Sequence, residues 1–224
     1  MSRLSPDKQA EHTIRFKAGP VTLEGQLCLP ALARGLVVFV HGSGSSRHSP
    51  RNQFVAGVLN SAGLATFLFD LLTPDEERID SITAMHRFDI ELLAERVVWT
   101  VKWLSENHET ASMNIGLFGA STGAAAALVA ASRLPGKIKA VVSRGGRPDL
   151  AGTALQYVHA PTLLIAGQRD GEVIDLNERA LHRLPRSLEK TLTIVPHATH
   201  LFEEPGTLER VADLAANWCK AHLE

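Results

Sequence analysis

Cysteine is scarce in this chain. Two stand in 224 residues, Cys28 and Cys219, far apart in sequence. That spacing excludes a disulfide framework and a cysteine metal cluster, and leaves two packed thiols. The ten histidines are scattered along the chain, so no metal site is expected. No P-loop and no G-x-G-x-x-G turn occurs, which removes the usual phosphate cradles and leaves no cofactor to expect. Neither sign of charge dominates: the formal net charge is -1, which gives no reason to expect nucleic acid or an anionic membrane as partner. No apolar run is long enough to span a bilayer. Met1 to Glu11 is polar and lacks the apolar core of a signal sequence, so the cytoplasm is the default compartment. There is no internal repeat and no low-complexity linker.

What is present is an alternation of short apolar runs with helical periods. Residues 1–11 read as a flexible arm and 12–224 as a single domain, a length that can bury a sizeable core. His12 to Phe16 and Val21 to Leu29 flank Lys17-Ala18-Gly19-Pro20 and read as an antiparallel hairpin. Leu36 to Val40, Leu64 to Phe69, Asn114 to Phe118, Ile138 to Ser143, Pro161 to Ala166 and Leu188 to Val195 read as strands. Helices are expected from near Pro50 through Leu59, over Phe88 to Leu104, from Ala124 to about Arg133, over Val173 to Leu184 and over Pro205 to His222. Residues 149–157 form a short helix or turn. Residues 71–87 lack a clear period and read as a surface excursion with one helical turn. The rhythm predicts an α/β sandwich of three layers: a mostly parallel sheet of about eight strands with helices on both faces. Ligands in such sheets bind beyond the carboxyl ends of the strands, so the loops 41–52, 119–123, 144–148, 167–172 and 196–202 should gather at one edge.

The most informative of these loops is Gly119-Ala120-Ser121-Thr122-Gly123. It follows a buried strand and opens a helix, the context in which G-x-S-x-G places a nucleophilic serine on a strained turn. The two glycines leave room for strand and helix to approach, and the Thr122 N–H points where an oxyanion would form. A serine needs a base and an orienting acid to become reactive. His200 and Asp170 stand in loops that should reach the same edge, and their order, Ser…Asp…His, is that of α/β-hydrolases. Glu172, Asp149 and Asp175 are rival acids. Asp149 leaves a different strand, and Asp175 falls on a helix. His197 rivals His200; Leu201 and Phe202 would seat His200 against the core. A buried or capping serine in an ordinary strand–helix turn is the competing reading.

On these residues the chain resembles a small α/β-hydrolase of the dienelactone-hydrolase-like group over about residues 12–222. His41-Gly42-Ser43-Gly44-Ser45 resembles the family's oxyanion loop, and the resemblance implies that the N–H groups of Ser43 and Thr122 form the hole. Ser121 stands where dienelactone hydrolases proper carry cysteine, which points to ester hydrolysis through an acyl-serine. His197 stands where the family often has glycine. No large cap insertion is evident, so the site should be open.

Arg47, His48, Arg51 and Asn52 lie in or just after the oxyanion loop, and Arg144 and Arg147 lie beyond a strand end. Arginine suits bidentate capture of carboxylate or phosphate, so Arg144, Arg47 and His48 are candidate substrate contacts. The competing reading is that the arginines form internal ion pairs and brace the loops. The leading expectation is a serine carboxylesterase acting on a small-molecule ester, as a monomer or homodimer. An acyltransferase or peptidase could use the same three side chains, and a hydrolase fold kept as a binding module is the alternative of another class.

Overall fold

Six consecutive apolar or small residues, Gly35–Val40, form strand β3, and all six are buried. A strand buried on both faces must be flanked by strands and covered above and below, and the rest of the chain supplies both. The computed structural model describes residues 12–224; the arm expected over 1–11 lies outside them. Strands β1 (His12–Ala18) and β2 (Val21–Cys28) form the hairpin, and β4 (Ala65–Phe69), β5 (Asn114–Ala120), β6 (Ile138–Arg144), β7 (Thr162–Gly167) and β8 (Lys190–Val195) complete an eight-stranded sheet. Its order is β1-β2-β4-β3-β5-β6-β7-β8. β2 runs antiparallel to β1 and to β4; the remaining neighbours are parallel.

Helices α1 (Pro50–Ser61) and α6 (Thr207–Leu223) pack together on one face. Helices α3 (Ile90–Glu106), α4 (Thr122–Arg133) and α5 (Gly171–Arg183), with a 3-10 segment over Pro148–Tyr157, cover the other. Val37, Phe39, Phe118, Val142 and Ile165 point to the α1/α6 side, and Val38, Val40, Leu117 and Val141 to the α3/α4 side. This is the period-2 division that parallel strands require. Ala124–Ala127 of α4 are wholly buried, because small side chains let this helix sink between the sheet, α3 and the 3-10 segment. The Cys219 thiol is buried on the α1/α6 side, and burial pushes its pKa up to about 12, so it stays a protonated, packed group. No helix of the described residues is long and apolar enough to cross a membrane.

One stretch differs from the sequence expectation. Residues 71–87 carry a ten-residue helix, α2 (Pro74–Thr83), where one turn was expected. A capping box starts it: Glu76 N–H donates to Thr73 Oγ1 at 3.2 Å, and Thr73 N–H donates to Glu76 Oε2 at 2.8 Å. Charge then fixes it to the body. Arg96 donates to Glu76 Oε1 at 2.7 Å, and the buried Asp80 carboxylate accepts from the N–H groups of His86 and Arg87 and from Arg87 Nε. Ile79 and Ile82 face solvent, so no apolar period betrays the helix.

At the far end of α6, Leu223 is fully buried, and its carbonyl accepts from Asn114 Nδ2 at 3.0 Å. Leu223→Ala leaves a cavity under the sheet and should lower stability by about 2–5 kcal/mol. Urea unfolding should show a lower midpoint with an unchanged slope.

Candidate active site

Ser121 links β5 directly to α4, and its backbone sits at φ 51°, ψ -123°. That is a region non-glycine residues avoid, at a cost of about 1–3 kcal/mol, and it persists only where the surroundings impose it. They do so here by leaving no space for two side chains. A Cβ on Gly119 would lie 2.4 Å from Ala124 Cα, and one on Gly123 would lie 2.2 Å from the Val40 carbonyl oxygen. Hydrogen bonds then fasten the turn: Ser121 N–H donates to the Arg144 carbonyl at 3.2 Å, and Arg147 N–H donates to the Ser121 carbonyl at 3.0 Å. Ser121 is partly exposed, whereas Thr122 beside it is buried.

Asp170 and His200 leave the ends of β7 and β8. Their loops dock because Gly167 lets them touch; a Cβ there would lie 2.5 Å from the Ala198 carbonyl oxygen. Arg169 N–H donates to that same carbonyl at 2.9 Å. His200 Nδ1 and Asp170 Oδ2 are 2.6 Å apart. The carboxylate is an acceptor only, so Nδ1 carries the hydrogen and Nε2 keeps its lone pair. The imidazole lies beside the loop after β6: the Cβ position of Gly145 lies 3.6 Å from His200 Cε1, and Gly145 follows the Arg144 whose carbonyl holds Ser121. Among the described residues no hydrogen bond joins Ser121 Oγ to the ring.

Of the rival groups, one acid is engaged elsewhere. Asp149 is bound by Arg147 through two bonds, at 2.9 and 2.8 Å. Glu172 and Asp175 lie on α5. His197 sits at φ 64° with its N–H on Gln168 Oε1 at 2.9 Å.

The loop after β3 approaches the serine turn from the other side. Ser43 N–H, expected as a free oxyanion donor, already donates to Thr122 Oγ1 at 2.9 Å. The Thr122 N–H is the first of α4 and has no acceptor within the helix. His41 has no role legible in the sequence, and the structure gives it one. Its Nδ1 lies 2.9 Å from the Gly42 carbonyl, and its Nε2 accepts Leu71 N–H at 3.1 Å. One ring thereby ties the loop to the end of β4. The signal was a polar residue closing an otherwise wholly apolar strand.

The candidate substrate contacts divide sharply. Arg47 is spent on the protein: its guanidinium pairs with Asp70 and, at 2.9 Å, with Glu24. His48 stands on the rim with its N–H on Ser46 Oγ. Arg144 is 8 % exposed and has no ion pair or side-chain hydrogen bond among the described residues. A cleft of about 730 Å³ opens beside the loop, lined by Ser43, Arg47, His48, Arg51, Asp70 and Glu77. Neither Ser121 nor His200 lines it, so it adjoins the serine turn rather than containing it. No group of His, Cys, Asp and Glu suited to a metal ion occurs among the described residues.

A sheet in this order, with a serine at the turn after β5 and an Asp–His pair beyond the ends of β7 and β8, defines an α/β-hydrolase. The chain belongs to the dienelactone hydrolase family, whose model matches residues 25–221. It is 54 % identical to a dienelactone hydrolase from Anabaena variabilis, with a TM-score of 0.94 over 96 % of this chain and 99 % of that one. Est1E from Butyrivibrio proteoclasticus shares the fold, with a TM-score of 0.76 at 15 % identity over 93 % of this chain and 98 % of that one. Two Mycobacterium tuberculosis proteins, from strains H37Rv and CDC 1551, are 57 % identical over 213 residues. Both are named "Putative phosphoribosyl transferase". The match covers 95 % of this chain but 47 % of theirs, so the chain spans about half the length of these relatives.

His41 generates a pH prediction. Burial lowers its pKa below 6.5, outweighing the Gly42 carbonyl and Asp70. Between the two values the unfolded chain binds a proton that the folded one does not. Stability is therefore full above about pH 6.5 and falls as pH drops below it, by up to about 1.4 kcal/mol per unit. His41→Asn should flatten that slope, read as the difference in urea midpoint between neutral and mildly acid buffer.

Proposed function

We propose that this protein is a serine esterase that cleaves small carboxylic esters through an acyl-serine intermediate. The observation that carries this reading is the 2.6 Å Asp170–His200 contact, on loops leaving strand ends of the sheet that also carries a serine held at φ 51°. In the proposed cycle His200 Nε2 takes the proton of Ser121 Oγ as that oxygen attacks the ester carbonyl. The proton then passes to the departing alkoxide, which leaves as the alcohol. Asp170 holds the ring in the required tautomer and stabilises the imidazolium. Water repeats the sequence on the acyl-enzyme, and Ser121 is restored. The Thr122 N–H faces the carbonyl oxygen as charge grows on it, helped by the positive end of α4. The Ser43 N–H joins it by exchanging the Thr122 hydroxyl for the oxyanion.

Membership of the dienelactone hydrolase family supports hydrolysis, and serine in the nucleophile position supports an ester substrate. The transferase name of the M. tuberculosis proteins belongs to chains about twice as long as the matched region. We read that region as the hydrolase-fold part of those proteins.

Steady-state hydrolysis of p-nitrophenyl acetate tests the proposal. Ser121→Ala should lose activity by about 10³-fold or more, and Asp170→Asn by about 10⁴-fold in kcat, with the fold retained. Undiminished turnover in Ser121→Ala would remove the serine mechanism.

A further inference from the structure

Most arginines near the serine turn have a carboxylate: Arg47 has Glu24 and Asp70, Arg87 has Asp80, and Arg147 has Asp149. Arg144 has none. It is the last residue of β6, in register with Ala120 on β5 and Ile165 on β7, and so shares their face of the sheet. That face is the one packed by α1 and α6. Its Nη1 is fully buried and without an acceptor. Burial first, and then the charge of Arg51, pulls the guanidinium down to about 10, which still leaves it a cation at neutral pH. The neighbour is therefore repulsive. Arg51 lies in the first turn of α1, its own buried Nε lacks an acceptor, and its one ion pair is a 3.4 Å contact with the exposed Glu203. The N-terminus of α1 adds further positive potential at the same place.

A buried, unpaired charge beside a like charge is destabilising. Among the described residues no carboxylate pairs with it, and its backbone is the strand end that holds Ser121. We propose that Arg144 and Arg51, with the first turn of α1, form a subsite for an anionic group of the substrate, preferring a doubly charged phosphate to a carboxylate. The preference follows from the charge count: two guanidinium groups and a helix N-terminus are set against one exposed carboxylate, Glu203, 3.4 Å from Arg51. The fork of Arg144 would take two oxygens of the anion, and Arg51 a third. This subsite rests on the esterase reading, because it supplies the substrate class for the same Ser121. Arg51 also lines the cleft that holds Arg47, so the subsite adjoins that cleft; the charge of Arg47 itself is already neutralised.

Binding needs no turnover, so the two ideas can fail separately. Phosphate and, in a second arm, acetate are titrated calorimetrically into the Ser121→Ala protein at low ionic strength. The measurement is repeated with Arg144→Met, Arg144→Lys and Arg51→Met added. Phosphate should bind at least about tenfold more tightly than acetate, and Arg144→Met should weaken it by about tenfold or more. Arg144→Lys keeps the charge but loses the fork and should fall between. Arg51→Met should give a smaller loss. Arg144→Met alone should also melt about 2–4 °C higher or more, because an uncompensated charge leaves the interior. Absence of phosphate binding, or binding indifferent to both Arg144 variants, would overturn the subsite. Acetate binding as tightly as phosphate would overturn the preference. A lowered melting temperature in Arg144→Met with phosphate binding unaltered would make the arginine a structural brace and overturn the proposal. Loss of p-nitrophenyl acetate turnover in the wild type would sink the esterase reading and leave the binding result standing.

Discussion

The backbone of Ser121 is the constraint on which the rest of this structure turns. A serine at φ 51° is held there because β5, β3 and α4 close around it with no room for a Cβ on Gly119 or Gly123. The surrounding packing supplies far more than the strain of about 1–3 kcal/mol. The alanine-rich run of α4 brings the helix close, and β3 and β5, buried but for Asn114, give it an unyielding floor. The strain puts a hydroxyl at the sheet edge and leaves the first N–H of α4 free beside it. Both are needed for acyl transfer, and both come from the same close approach.

The treatment of charge around this turn is uneven in an instructive way. Arg47, Asp80 and Asp149 each find compensation within a few ångströms and serve to fasten loops. His41 is held neutral by burial and spends both ring nitrogens on backbone groups. Arg144 alone among the buried arginines has neither an ion pair nor a hydrogen bond recorded among the described residues, and its neighbour repels it. Proteins tolerate such departures where an incoming group completes the site, and the stability lost in the empty state is offset by binding.

Much of the architecture was legible because local chemistry repeated it. The continuous apolar runs marked the central strands, the Gly119–Gly123 turn marked the passage from strand to helix, and the alternation of the two marked a mostly parallel sheet. Asp170 and His200, separated by 30 residues, could be paired from topology, since both leave strand carboxyl ends. Helix α2 was not legible as a helix by periodicity, because Thr73, Glu76 and Asp80 hold it rather than an apolar stripe; the Thr73–Glu76 capping spacing was the available clue. The bond between Ser43 N–H and the Thr122 hydroxyl joins residues 79 apart and left no local trace. Nor could the isolation of Arg144 be read from sequence. The nearby arginines look alike in the chain, and only their three-dimensional partners separate those that touch a carboxylate from the one that does not.

Whether Ser121 becomes acylated is the most direct question. Protein quenched in acid during turnover of p-nitrophenyl acetate, then digested and analysed by mass spectrometry, should carry one acetyl group on the peptide containing Ser121. The signal should vanish in Ser121→Ala. Rapid turnover with no adduct on that peptide, or an acetyl group on another side chain that keeps pace with catalysis, would contradict the account.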